Sequence, residues 1–161
     1  MMELTRLIKH EIQQYAYKTY PLEACGVVAG GAAIGLPNIA ELPECDFKLS
    51  PDTFALYDVE AVWHSHPDGP QEPSKTDMES QIQTAVPWIL CCSYKDGTAS
   101  EPYMWGGGYI PPLVGREFRH GPSGTDDRGD CYALIKDWYK AERGAELPEF
   151  PRANGWWETD S

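Results

Sequence analysis

The stretch Trp63-His64-Ser65-His66-Pro67, continued by Pro73-Ser74-Lys75-Thr76-Asp77, decides how this chain is read. On an extended backbone, residues two apart point to the same side, so His64 and His66 can converge on one ion. A Pro- and Gly-rich loop over 67–73 then leads to a helix whose first turn presents Asp77. Two imidazoles and one carboxylate leave the fourth tetrahedral position of a zinc ion to water, as in a catalytic site rather than a closed structural one. Zinc lowers the pKa of such a water to about 7. A base must still take the water's proton and pass it to a leaving amine. Glu23, in Pro21-Leu22-Glu23-Ala24-Cys25-Gly26 at the threshold of the first strand, is the candidate. Ser74 is a candidate donor to the oxyanion that develops on an attacked carbonyl. Taken singly these signals are weak: Ser74-x-x-Asp77 also reads as a helix capping box, and H-x-H is common. The two readings are compatible, because capping would hold Asp77 rigidly.

Working outward, the pattern predicts secondary structure on both sides of the histidines. Residues 4–19 carry Leu4, Leu7, Ile8, Ile12, Tyr15 and Ala16 at helical spacing, and Pro21 stops that helix. Residues 25–30 read as a short buried strand with a Gly30-Gly31 turn, and 34–42 as its return. The structure of 50–58 is left open. Residues 59–64 read as a central strand, 74–85 as a helix with Met78, Ile82 and Ala85 on one face, and 88–94 as a strand. A turn at 95–98 leads to a further strand over 102–105. The fold class expected is α/β: a mixed sheet flanked by helices, followed by a short helical C-terminal segment. Gly106-Gly107-Gly108 and Pro111-Pro112, flexible and then stiff, mark the boundary between 1–112 and 113–161.

Composition bounds the function. Hydrophobic residues make up 42% of the 161, enough for a folded core. The formal charge of −12 argues against nucleic acid and against an anionic membrane surface as partners; the bland reading of so much acid is solubility. No apolar run approaches the roughly 20 residues of a membrane span, so no membrane insertion is expected. The N-terminus lacks the apolar core of a secretory signal, which points to the cytoplasm at synthesis. Five cysteines with no C-x-x-C spacing read as reduced thiols.

H-x-H-P, seven residues to a Ser, then S-x-x-D, resembles the JAMM signature of MPN-domain zinc metallopeptidases. Pro21-x-Glu23-x-Cys25-Gly26 resembles that family's catalytic-glutamate segment. The resemblance covers roughly residues 1–112. It implies an MPN core, one zinc ion per chain on His64, His66 and Asp77, and hydrolysis of an amide or isopeptide bond in a peptide or protein substrate.

The remainder reads differently. Asp130 suits an N-cap, and the helix from Cys131 carries Leu134, Ile135, Trp138 and Tyr139 on one face and ends near Gly144. Cys131 sits where the helix dipole favours a thiolate, although a buried apolar cysteine is the commoner fate. Gly129-Asp130-Cys131-Tyr132-x-Leu134-x-x-Asp137-Trp138-Tyr139 resembles the start of an NlpC-type cysteine peptidase domain, with Cys131 as the possible nucleophile. No histidine follows His120 and fewer than 50 residues remain, so this part is expected to be incomplete and without cysteine peptidase activity. It is either truncated or docked on the first domain. The two modules in this order resemble tail-assembly proteins of lambda-like bacteriophages. That implies tail-tip proteins as partners, and the bacterial host cytoplasm during assembly, or the virion tail, as location. Two alternatives stand beside a tail-assembly peptidase: a non-catalytic tail-tip binding module with structural zinc, and a deubiquitinase-like isopeptidase acting on a small modifier protein.

Overall fold

In a computed structural model, which describes residues 2–158, the first helix, α1, spans Arg6–Thr19. The Thr5 hydroxyl caps it by accepting from Ile8 N, and it turns Ile8, Ile12 and Ala16 into the core while Leu7 stays exposed. Strands β1 (Cys25–Ala29) and β2 (Ala32–Leu36) form a hairpin around Gly30 and Gly31, both at positive φ, which glycine adopts without a steric cost. The returning strand is shorter than the 34–42 expected, because the chain leaves the sheet after Leu36. The region left open holds a single short helix, α2, at Thr53–Leu56.

Strand β3 is Ala61–Pro67, α3 is Lys75–Thr84 and β4 is Trp88–Ser93; β3 and β4 run parallel and α3 is their crossover. Strand β5, Tyr103–Trp105, closes a five-stranded mixed sheet in the order β2-β1-β3-β4-β5. The period of two sorts β3 between two layers. Trp63 joins Ile8, Ile12, Ile89 and Cys91 beneath α1, and Val62 joins Met78, Trp88, Leu90 and Trp105 beneath α3. Each large apolar side chain so buried contributes about 1.5–3 kcal/mol. His64 and His66 share the face of Val62, on the α3 side. That helix buries Asp77, Met78 and Gln81 and leaves Ile82 partly exposed, so the apolar stripe expected through Ile82 and Ala85 is not its inner face. Ala85 is instead the left-handed C-cap.

Beyond the sheet, β6 (Glu117–Phe118) and β7 (Arg128–Gly129) form a small parallel pair, followed by α4, Cys131–Arg143. Asp130 caps α4 by accepting from Ala133 N, and Gly144 ends it at positive φ. The face of α4 turned inward carries Ala133 and Asp137, with Asp137 bonded to Arg116, whereas Ile135, Trp138 and Tyr139 are exposed. The expected aromatic stripe therefore lies outward, because an ion pair rather than apolar packing docks the helix. The segment is built onto the β5 edge. Thr125 N donates to Met104 O, Met104 N donates to the Thr125 hydroxyl, and Trp105 and Gly124 form an antiparallel bridge. Arg152 is fully buried, bonded to Asp130 and Glu149, and its backbone N–H meets Met78 Sδ on α3.

Candidate metal centre

Three elements deliver the side chains. His64 and His66 come from the last turns of the pleat in β3, Asp77 from the first turn of α3, and Glu23 from the residue pair ahead of β1. The antiparallel register, in which Cys25 faces His64 and Ser65 N donates to Ala24 O, brings Glu23 alongside His66. The Ser65 hydroxyl accepts from Ala24 N and locks that entry to the strand. Gly26 makes the close approach possible: a Cβ there would lie 1.9 Å from Ile34 O and 2.7 Å from the Trp63 ring.

His64 Nε2 and His66 Nε2 are 3.1 Å apart, and Asp77 Oδ2 lies 3.2 Å from the first and 3.1 Å from the second. Tetrahedral zinc bonds of 2.0–2.1 Å imply ligand–ligand edges of about 3.3 Å, so this triangle has the dimensions of one face of such a site. The donor set is a second reason for the fit. Two ring nitrogens and a carboxylate oxygen crowd one point, which a cation satisfies and a single shared proton does not. His66 Nδ1 donates to Pro70 O at 2.8 Å, which leaves Nε2 with its lone pair toward the triangle. His64 is held differently. Its Nδ1 is buried without a hydrogen-bond partner among the described residues, and its ring is stacked on Phe47 at 4.4 Å and edged by Trp88. Asp77 and Ser74 form a reciprocal capping box: Asp77 N donates to Ser74 Oγ at 3.0 Å and Ser74 N to Asp77 Oδ2 at 2.9 Å. The same carboxylate oxygen thus caps the helix and faces the histidines. Among the described residues the Ser74 hydroxyl hydrogen has no acceptor and can donate.

Glu23, His64 and His66 also form a group able to hold a metal ion, with ligand atoms within 4.8 Å of one another. Glu23 is only 4% exposed, and burial pushes its carboxyl up to about 7, with Asp77 and Asp46 adding to the rise and His66 opposing it. Burial likewise lowers His64 against the pull of Asp77. For His66, burial is outweighed by the Asp77 bond and charge and by the Pro70 carbonyl, so it sits above the ordinary imidazole value. Asp77 is held well below the ordinary carboxylate range, because the two histidines overcome its own burial.

The centre opens into a cleft of about 920 Å³ lined by Glu23, His66, Ser74 and Asp77 and by residues of the 39–48 loop. Cys131 is the first residue of α4, on the helix that follows the small β6–β7 pair, and its thiol is exposed rather than buried. Two participants carried no sequence signal. The Pro70 carbonyl is backbone in a loop, and Phe47 stacks on His64 from a region without periodic pattern. Its spacing to no motif residue could have singled it out.

A mixed sheet with a helix on each face, and a paired-histidine and acid cluster at the β3–α3 junction, defines a JAB/MPN-like α/β domain with a candidate metal centre. The chain belongs to the family of prokaryotic homologues of the JAB domain, whose profile matches residues 6–103. It is similar to "Tail tip assembly protein K" of Escherichia phage N15, at 30% identity over 155 residues, covering 91% of this chain and 60% of that protein. It is also similar to "Tail tip assembly protein K" of Escherichia phage lambda, at 36% identity over 100 residues, covering 62% of this chain and 43% of that protein. A third relative is "Desampylase" of Haloferax volcanii, 30% identical over 97 residues, covering 50% of this chain and 70% of that protein. The chain spans about half the length of the two phage relatives.

Proposed function

We propose that this protein is a zinc-dependent hydrolase of a peptide or isopeptide bond, acting in phage tail-tip assembly. The observation that carries the reading is the triangle of His64 Nε2, His66 Nε2 and Asp77 Oδ2, with edges of 3.1–3.2 Å, beside a buried Glu23 at the mouth of a large cleft. His64, His66 and Asp77 would hold the ion. Zinc bound there would supply a Lewis acid that brings the pKa of a water to near neutrality. Glu23 is the base: a carboxyl poised near 7 accepts a proton at neutral pH and returns it to a leaving amine, where an ordinary surface glutamate would bind it too weakly. Ser74 donates its hydroxyl hydrogen to the carbonyl oxygen as charge develops there, while Asp77 N keeps that hydroxyl oriented. Tail-tip proteins as substrate or partner are supported by the two phage relatives.

The test separates metal binding from turnover. Glu23→Gln is expected to retain the ion yet lose about 100-fold or more in hydrolysis of co-incubated tail-tip proteins, read as new termini by mass spectrometry. Equal cleavage by parent and variant would remove Glu23 from the mechanism. One observation favours a second reading, a non-catalytic tail-tip module in which the ion serves structure. His64 Nδ1 lacks the hydrogen bond that ordinarily orients a metal-binding histidine. Under that reading Glu23→Gln leaves tail assembly unchanged.

A further inference from the structure

His66 is oriented by a loop carbonyl, not by a strand. Pro70 O accepts from His66 Nδ1 at 2.8 Å, and Pro70 lies in the connection between β3 and α3, where no ladder fixes peptide orientation. Two side chains from the neighbouring strands hold that connection from beneath. The Cys92 thiol, on β4 opposite His66, approaches Pro70 O at 3.3 Å. The Tyr103 hydroxyl, on β5, donates to the next carbonyl, Gln71 O, at 2.6 Å. Tyr103 is itself fixed from outside the sheet. The Arg119 guanidinium lies 4.3 Å over its ring and is only 6% exposed. Arg119 is bonded to both Asp126 oxygens and to the His120 and Arg128 carbonyls. A Cβ on Gly124 would come within 3.0 Å of both the Arg119 guanidinium and the Tyr103 ring, so the packing leaves no slack.

We propose that Tyr103 is a positioning residue for the metal centre, holding the 70–71 carbonyls that orient His66, and that Arg119 of the C-terminal segment holds Tyr103 in turn. The inference rests on reading the site as a metal centre. Residues 113–158 would then support the site mechanically without lining it. A hydroxyl that serves packing alone would be dispensable to His66; one that fixes the loop is not.

The test uses Tyr103→Phe, which keeps the ring under Arg119 and removes only the donor. Tyr109→Phe, which deletes an exposed hydroxyl bonded to Asp127, is the control. In metal-free, histidine-labelled protein, solvent exchange of the His66 Nδ1–H is expected to quicken by about threefold or more in Tyr103→Phe and not in the control. Co²⁺ affinity, read from the cobalt absorption bands, is expected to fall by about three- to tenfold, below the loss typical when a direct partner of a metal ligand is removed. Cys92→Ala, which touches Pro70 O directly, should move both readouts the same way and keeps the idea testable if Tyr103→Phe misfolds. Unchanged exchange and unchanged Co²⁺ affinity in a folded Tyr103→Phe would overturn the proposal. If the parent binds no Co²⁺, the metal-centre reading fails, while His66 exchange still tests the positioning role by itself.

Discussion

Glu23 is a buried carboxylate, beside His66 and within the field of Asp77, and its pKa has consequences for stability as well as chemistry. The folded state retains its proton up to about 7, whereas the unfolded chain releases it near 4.5. Below about pH 4.5 both states are protonated and Glu23 has no differential effect. Between 4.5 and 7 the unfolded state sheds protons that the folded state keeps, so stability falls as pH rises, and above 7 the cost is complete. Metal-free Glu23→Gln should therefore gain thermal stability over the parent progressively across that window. Paired melting curves in chelator check this, and a gap that stays flat or closes with rising pH would show that Glu23 is not held as described. His64, His66 and Asp77 were readable as candidates from spacing, and Glu23 from its segment ahead of the first strand and that segment's resemblance to the family. The means of holding them were not, because a carbonyl at Pro70 and a ring at Phe47 act through tertiary contact.

At the level of elements, the close approach of β1, β2 and β3 depends on Gly26. Adding one methyl at Gly26 meets the Ile34 carbonyl of the neighbouring strand and the fully buried Trp63 ring. Gly26→Ala is expected to destabilise the protein by about 1–3 kcal/mol, the cost of overpacking, measurable by denaturant titration. Full retention of stability would mean that the hairpin can shift away from Trp63. The elements carrying the site were legible because their signals are local. Alternation marks β3, the Ser74–Asp77 box marks the start of α3, and Pro21 precedes the entry to β1. What resisted reading were the helices whose docking is polar. Both α3 and α4 bury an aspartate on the inner face, Asp77 toward the histidines and Asp137 toward Arg116, so apolar periodicity found Met78 of α3 but misplaced Ile82, Ile135, Trp138 and Tyr139. The 117–129 pair was equally hidden, since its two-residue strands, joined through Arg119 and Asp126, leave no periodic pattern.

Across the whole molecule, the site ties β1, β3 and α3 together, and the C-terminal segment seals the β5 edge and reaches α3 through Arg152. An ion held by residues from two of those elements stabilises the folded state alone. Zinc in hundredfold excess over its dissociation constant should add about 2.7 kcal/mol, seen as a concentration-dependent rise in Tm that Asp77→Ala abolishes. A Tm insensitive to zinc would argue that the ion, if bound, bridges nothing. Part of the charge of −12 gathers at the site, where Glu41, Glu44 and Asp46 line the same cleft as His66.

The central claim is that His64, His66 and Asp77 hold one ion. Metal content of the purified protein by plasma mass spectrometry, with His64→Ala and Asp77→Ala measured alongside, tests it most directly. About one zinc per chain is expected in the parent and little in either variant. A parent that carries no metal even after reconstitution, or variants that retain it, would show that His64, His66 and Asp77 do not hold an ion.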